Sequence, residues 1–331
     1  MDLDALVAVR HEEWARLDEL GRRGRLTGAE VDELVTRYRA ASADLADIKT
    51  SAGRTVLGDH VSTLLARARL RLTATSDPVL RQIPRFFVRQ LPAALYRLRW
   101  TTLAIAVGFF IVASLVAFWI SQDASALAAL GSRAQLQHLA DQDFLDYYRK
   151  DPNAVFAASV WTNNAWIAVQ CVLFGVTGVW PVYTLMQNAV GVGTTSAVMI
   201  AFGKGDILLQ FIAPHGLLEL TSIFVAAAAG LHVFWAWVAP GRRSRGAALA
   251  AAGRSLATVA VGLIGSLAVS GAIEGFVTPT YWPWPIKVAI GAMALAAFLV
   301  YMLVVGGRAQ RAGETGDLTE GERGTERLVA G

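Results

Sequence analysis

The chain has 331 residues, of which 54% are hydrophobic and 17% are charged, and its formal net charge is +4. A composition this apolar is typical of a membrane protein and argues against two ordinary soluble domains. The positive charge does not indicate a nucleic acid partner, because the arginines lie beside long apolar runs, where basic residues flank membrane helices.

The first 99 residues predict a soluble helical domain. Apolar residues recur at helical spacing from Leu3 onward, and Thr27 precedes Glu30 by three residues, a capping-box pattern that begins a second helix. A third helix is predicted over about residues 56–72, before Asp77-Pro78 breaks the pattern. The N-terminus has early acidic residues and lacks the apolar core of a signal peptide, so we expect this domain in the cytoplasm.

A basic segment forms the C-terminal part of this domain. Arg81, Arg85 and Arg89 recur at helical spacing around Pro84 and Pro92, with apolar residues between them. Such a segment can rest on the inner leaflet, where basic residues meet anionic lipid, or it can pack as a helix on the soluble domain. The sequence leaves both interpretations open.

Six apolar stretches follow, each long enough for a helix that crosses a bilayer, which takes about 20 residues. The predicted spans are at about residues 100–121, 159–180, 182–202, 213–238, 255–277 and 285–305. Pro181 divides a run without charge into two spans, and Pro214 is expected to begin the main helix of the fourth. Whether residues 207–213 form a re-entrant piece stays open.

Two segments of the membrane part lie outside these spans. Residues 122–153 are mixed in charge and predict a small helical insert on the outer side, and residues 307–331 are rich in Gly, Glu and Thr and predict a disordered cytoplasmic tail. The predicted fold class is therefore all-α: a polytopic membrane helix bundle over residues 100–306, with a cytoplasmic helical domain over residues 1–99.

The distribution of arginine predicts the orientation. Arginines cluster before the first span, between the fourth and fifth spans, and after the sixth, and six spans put all three clusters on one side. That side is cytoplasmic by the positive-inside bias. We therefore expect a multi-pass protein of the plasma membrane with both termini in the cytoplasm.

Three of the ionisable residues inside the predicted spans stand out, because charge is costly there and function is the first hypothesis. His215 and Glu219 are four residues apart and share one helix face, and Glu274 lies near the outer end of the fifth span. Such a group can bind a cation or relay protons. It can also be structural, with the side chains hydrogen-bonding to each other or to a neighbouring helix.

Amides and glycines mark the second and third spans. The amides can join helices by hydrogen bonds or line a polar path, and the glycines can allow close helix approach or open a binding site. The residues concerned are Asn163, Asn164, Gln170, Gln187 and Asn188, and Gly175, Gly178, Gly191 and Gly193.

Signatures of soluble catalysis are missing from the sequence, which has no phosphate-binding glycine loop, no HExxH and no GxSxG. A histidine with a nearby glutamate can serve an intramembrane hydrolase or ligate zinc, but a catalytic zinc site usually needs three protein ligands, and the helix with His215 and Glu219 supplies two. We therefore predict no catalytic residue, no metal and no cofactor, and a protein that is not an enzyme.

These features resemble those of the stage II sporulation protein M family. The most specific element is PHG-x-x-E. Two further elements are paired asparagines with spaced glycines and an N-terminal region similar to that of actinobacterial members. The matching residues are Pro214, His215, Gly216 and Glu219; Asn163, Asn164, Gly175, Gly178, Asn188 and Gly191; and Trp14, Leu17, Tyr38-Arg39 and Asp44-Leu45-Ala46.

The resemblance implies a function in the cell envelope. Sporulating members are membrane components of a peptidoglycan-remodelling complex, and actinobacterial relatives tend to be encoded beside an RDD-type membrane protein and a MoxR-type ATPase module. The long cytoplasmic domain departs from the shorter sporulation protein. The leading hypothesis is a non-enzymatic scaffold that contacts the lipid bilayer and envelope proteins and can form homo-oligomers. The alternative is a transporter or an ion or proton pathway that uses His215 and Glu219.

Overall fold

The computed structural model describes residues 3–24, 26–53, 55–73, 83–147 and 153–316. Every regular element in these ranges is a helix, as the sequence predicts. The chain divides into two compact units, Met1–Gln82 and Ile83–Gly331, so the basic segment from residue 83 groups with the second unit rather than with the N-terminal helical unit.

The first unit is a bundle of three helices, α1 (Leu3–Arg22), α2 (Gly28–Ala52) and α3 (Val56–Thr73). The capping box is confirmed, since the Thr27 hydroxyl accepts from the Glu30 amide and the Glu30 carboxylate accepts from the Thr27 amide. The break predicted at Asp77-Pro78 lies outside the described residues. The helices enclose a core of their own, formed by Trp14, Leu17, Leu20, Leu34, Ala41, Ile48, Val61, Leu64, Leu65 and Ala68.

The second unit contains long apolar helices. Four of them are long and apolar enough to cross a membrane, which supports a multi-pass membrane protein. They are α4 (Ile83–Gln122), α10 (Gly205–Val238), α11 (Arg245–Phe276) and α12 (Trp284–Arg311). Two further helices, α8 (Asn153–Leu173) and α9 (Val179–Ala201), lie at the positions of the predicted second and third spans.

The insert between α4 and α8 is helical over its described part. It contains α5 (Ala124–Leu130) and α6 (Arg133–His138), which continues through a π-helical stretch, Leu139–Asp143, into α7 (Phe144–Tyr147). Asp141 accepts a hydrogen bond from Lys204, which lies just before α10, with a 3.0 Å distance from Nζ to Oδ1. This contact lowers the pKa of Asp141 and ties the insert to the helix bundle.

Helix α10 is the centre of the second unit, since it contacts α4, α8, α9, α11 and α12. We expected its main part to begin at Pro214, but the helix begins at Gly205 and continues through Pro214. Residues 207–213 are therefore part of this helix and not a separate re-entrant piece. Proline inside a membrane helix is tolerated where neighbouring elements compensate the freed backbone groups.

The end of the chain departs from the predicted disorder over residues 307–316. Residues up to Arg311 complete α12, and the segment after it packs on the bundle. The Thr258 hydroxyl donates to the Gly316 carbonyl over 3.1 Å, and Arg97 donates to the Thr315 carbonyl over 2.8 Å. Residues 317–331 lie outside the described residues.

The basic segment forms the first part of α4 from Ile83 onward. Residues 91–95 are buried, and a Cβ on Gly306 would lie 2.1 Å from the Pro92 carbonyl oxygen. This half of the segment therefore packs inside the bundle instead of lying on a leaflet. Arg81 lies outside the described residues.

Candidate functional site

The three ionisable residues predicted from the spans come together between α10 and α11. One ligand atom from each of His215, Glu219 and Glu274 lies within 4.8 Å of the others. Nε2 of His215 is 3.6 Å from Oε1 of Glu274. The helical repeat places the first two on one face of α10, and the packing of α11 on that face brings in the third.

Side chains from the surrounding elements hold this cluster. The Ser270 hydroxyl on α11 lies 3.3 Å from Oε2 of Glu219 and 3.1 Å from the His215 carbonyl oxygen, so it joins α10 to α11. Nδ1 of His215 lies 3.4 Å from the hydroxyl of Thr278, in the turn after α11. His215 and Glu219 therefore each have a neighbouring hydroxyl that limits the orientation of the side chain.

A lysine from a third helix completes the surroundings. Lys287 on α12 is buried, its Nζ donates to the Thr278 carbonyl over 2.7 Å, and it lies 5.4 Å from the centre of the Phe211 ring. Lys287 was not predicted as a site residue, although an ionisable residue inside the predicted sixth span is the same signal that marked Glu274. Ser270 and Thr278 carry no such signal, because serine and threonine are common in membrane helices.

Two of the three side chains in the cluster are shielded from the surroundings of the bundle. His215 is 5% exposed and Glu274 is 3% exposed, whereas Glu219 is half-buried. The cluster lies toward the end of the bundle where α11 ends and α12 begins, next to a turn whose Tyr281 is fully exposed. Glu219 is therefore the most exposed of the three side chains.

Close approach of α10 and α12 positions His215. A Cβ on Gly291 of α12 would lie 1.9 Å from the Pro214 carbonyl oxygen, so only glycine permits this contact. Gly216, the other glycine of the PHG element, meets only Ile212 of its own helix. Pro214 and Gly216 were predicted from the sequence, whereas Gly291, which makes the contact between the two helices, was not.

The four predicted packing glycines lie in three different environments. A Cβ on Gly175 would lie 2.5 Å from Cα of Gly230, and one on Gly193 would lie 2.6 Å from the Ala113 carbonyl oxygen, so both allow close approach. Gly178 has a φ of +69° in the turn between α8 and α9, where glycine is favoured. Gly191 makes no close helix contact, since there is open space around it.

The predicted amides do not join the cluster. Asn164 is buried, Asn163 and Gln187 are exposed, and Asn188 donates to the Thr184 carbonyl of its own helix over 2.8 Å. The bonds that join helices near the cluster come from serines instead, since the Ser222 and Ser266 hydroxyls lie 2.9 Å apart between α10 and α11.

The fold and the site define a class: an all-helical, multi-pass membrane protein with a separate N-terminal helical unit and a buried His-Glu-Glu cluster in the membrane unit. The chain belongs to the Stage II sporulation protein M family, whose model matches residues 106–279. This range includes the PHG-x-x-E element, the paired asparagines and Glu274. A second model, described as a domain of unknown function (DUF8413), matches residues 4–74 and coincides with α1 to α3. Neither the curated proteins nor the solved structures contain a match to this chain.

Proposed function

We propose that this protein is a non-enzymatic scaffold of a cell-envelope complex that remodels peptidoglycan or acts in a related process. The observation that carries the proposal is the division of the chain into a helical unit with its own polar surface and core and a membrane unit. A folded unit whose described helices are not among the candidate membrane spans, attached to a membrane bundle, is suited to binding a partner on one side of the membrane. Membership of the Stage II sporulation protein M family supports the same proposal.

The scaffold has six spans in this proposal, with α8 and α9 as the second and third. Both helices lack Asp, Glu, Lys and Arg, and their 21 and 23 residues give lengths of about 31–35 Å at 1.5 Å per residue, enough for a hydrocarbon core of about 30 Å. Helix α8 packs on α10 and α11, and α9 packs on α4, so both lie among the longer apolar helices. With six spans, the arginine bias puts both termini in the cytoplasm and the insert outside.

Partners are expected on three surfaces. The N-terminal unit meets a cytoplasmic partner such as a MoxR-type ATPase module, and the insert meets envelope proteins outside the plasma membrane. Within the membrane, Asn163 and Gln187 are exposed on α8 and α9, and an amide facing hydrocarbon without a partner is costly. We assign this surface to another membrane protein, of the RDD type; a second copy of the chain is the other possible occupant.

The experiment compares the proteins that co-purify with the full chain and with three variants in mild detergent. Deletion of residues 3–73 removes the cytoplasmic partner, deletion of residues 124–147 removes the outer partner, and Gln187→Leu weakens the membrane partner. The matched control is Val190→Leu, which changes an exposed apolar residue on the same helix and leaves all partners bound. If both deletions leave the partners and the cell envelope unchanged, the scaffold proposal fails.

A second candidate function, an ion or proton pathway, is favoured by the three ionisable residues inside the bundle. Their enclosure fits a pathway less well than a fixed site, because only Glu219 is partly accessible. Protein reconstituted in liposomes should then show a flux that His215→Ala or Glu219→Gln abolishes. A flux that is unchanged in these variants rules out the cluster as the pathway.

A further inference from the structure

The cluster contains a buried carboxylate oxygen that lacks a hydrogen-bond partner. Glu274 is 3% exposed, and its Oε2 has no donor within reach among the described residues. Its other oxygen faces Nε2 of His215 at 3.6 Å, a distance too long for a hydrogen bond. A buried polar atom without a partner is costly, so this carboxylate calls for a ligand that the chain itself does not provide.

We propose that His215, Glu219 and Glu274 bind one divalent transition-metal cation. Imidazole nitrogen and carboxylate oxygen are the donors that Zn²⁺ accepts, at about 2.0–2.2 Å, which places two ligands of a tetrahedral ion about 3.4 Å apart. The observed 3.6 Å between Nε2 of His215 and Oε1 of Glu274 meets this spacing. The ligand atoms of all three residues lie within 4.8 Å of one another, so small shifts of the side chains bring the whole set to it. Three protein ligands leave one position for water.

The residues around the ligands suit a metal site. A ligating histidine normally hydrogen-bonds through its second ring nitrogen, which fixes the ring, and Nδ1 of His215 lies 3.4 Å from the Thr278 hydroxyl. Ser270 lies 3.3 Å from Oε2 of Glu219 in the same manner. The charge also fits, since two carboxylates in an apolar bundle are offset by a dication, whereas Lys287 on the neighbouring helix brings one positive charge.

The cation would join α10 to α11 near their contact with α12, so it stabilises the bundle. This inference is independent of the scaffold proposal, because a structural metal serves a scaffold and a pathway equally. The competing chemistry is a set of shared protons on the same three groups, and the experiment must separate the two.

The test measures the metal content of the full chain, purified in mild detergent through a tag without histidine. Elemental analysis after dialysis is expected to give about one equivalent of zinc per chain, and titration of the chelated protein with Zn²⁺ is expected to restore it. Glu274→Gln and His215→Ala lose the equivalent. The matched control is His232→Ala, a histidine of the same helix outside the cluster, and it keeps the metal.

Two further measurements keep the proposal testable if a ligand variant does not fold. In the unaltered protein, Zn²⁺ raises the temperature of unfolding after chelation, and this shift is absent from Glu274→Gln. Thr278→Val removes the hydroxyl next to Nδ1 and weakens zinc binding about 10–100-fold while the chain stays folded. The proposal is overturned if the unaltered protein holds no metal and its temperature of unfolding does not change with Zn²⁺, which is the result that shared protons give. It is also overturned if Glu274→Gln binds zinc as the unaltered protein does.

Discussion

Asp44 links the core of the N-terminal unit to its surface. The carboxylate is 5% exposed and accepts a hydrogen bond from Nε1 of Trp14 over 3.0 Å, and Nε of Arg10 lies 3.4 Å away. In Asp44→Ala the buried indole N–H loses its acceptor, which costs about 1–3 kcal/mol. We expect urea denaturation of the fragment 1–82, followed by circular dichroism, to show this decrease in the free energy of unfolding.

The control for this change is Asp47→Ala. Asp47 is exposed on the same helix, and surface substitutions of this kind usually stay within about 0.5 kcal/mol. Equal stability of the two variants would mean that the Trp14–Asp44 hydrogen bond contributes nothing to the unit.

The residues of the cluster differ in how well their place in it can be predicted from the sequence. His215 and Glu219 follow from the helical repeat, because four residues place two side chains on one face. Glu274 is marked as ionisable within a span, but its distance to His215 depends on how α11 packs on α10. No periodicity within one helix contains that information. The orienting residues Ser270 and Thr278 are visible only once this packing is known.

Two glycines set the spacing between α8 and α10. A Cβ on Gly230 would lie 2.2 Å from the Cys171 carbonyl oxygen, and Gly175 faces Gly230 from the opposite side. In Gly230→Ala the two helices must separate, and overpacking of this kind typically costs about 1–3 kcal/mol. We expect the variant to unfold at a lower temperature than the unaltered protein, measured as loss of the monodisperse peak after heating in detergent.

The control is Gly265→Ala on α11, where no heavy atom lies within 4 Å of the added Cβ. Alanine is about 1 kcal/mol better than glycine inside a helix, so this variant should be as stable as the unaltered protein or more stable. If Gly230→Ala were as stable as Gly265→Ala, the close approach of α8 and α10 would not be needed.

The presence of a helix is predicted well, because it depends on the length and apolar character of a stretch. The position of its ends is predicted poorly where it depends on tertiary contacts. The six stretches each correspond to a helix, yet the start of α10 was misplaced, because proline is a common first helical residue and the contact of Gly291 with Pro214 is not visible in the sequence. The same holds for residues 312–316, whose composition indicates disorder although their backbone bonds to Thr258 and Arg97. Composition reports average tendencies, and a few specific contacts override them.

The orientation of the whole molecule rests on the number of spans, and single cysteines can count them. With Cys171 replaced by alanine, cysteine is placed at Ala128 in the insert, at Thr177 between α8 and α9, and at Arg243 between α10 and α11, all of which are exposed. If α8, which is about 31 Å long, crosses the membrane as proposed, the turn at Thr177 lies on the opposite side from the insert. An impermeant maleimide should label Ala128→Cys in right-side-out vesicles, and Thr177→Cys and Arg243→Cys only in inside-out vesicles. Labelling of Thr177→Cys from the outside would leave α8 and α9 as a hairpin that does not cross the membrane, while the other two sites would keep their sides and serve as internal controls.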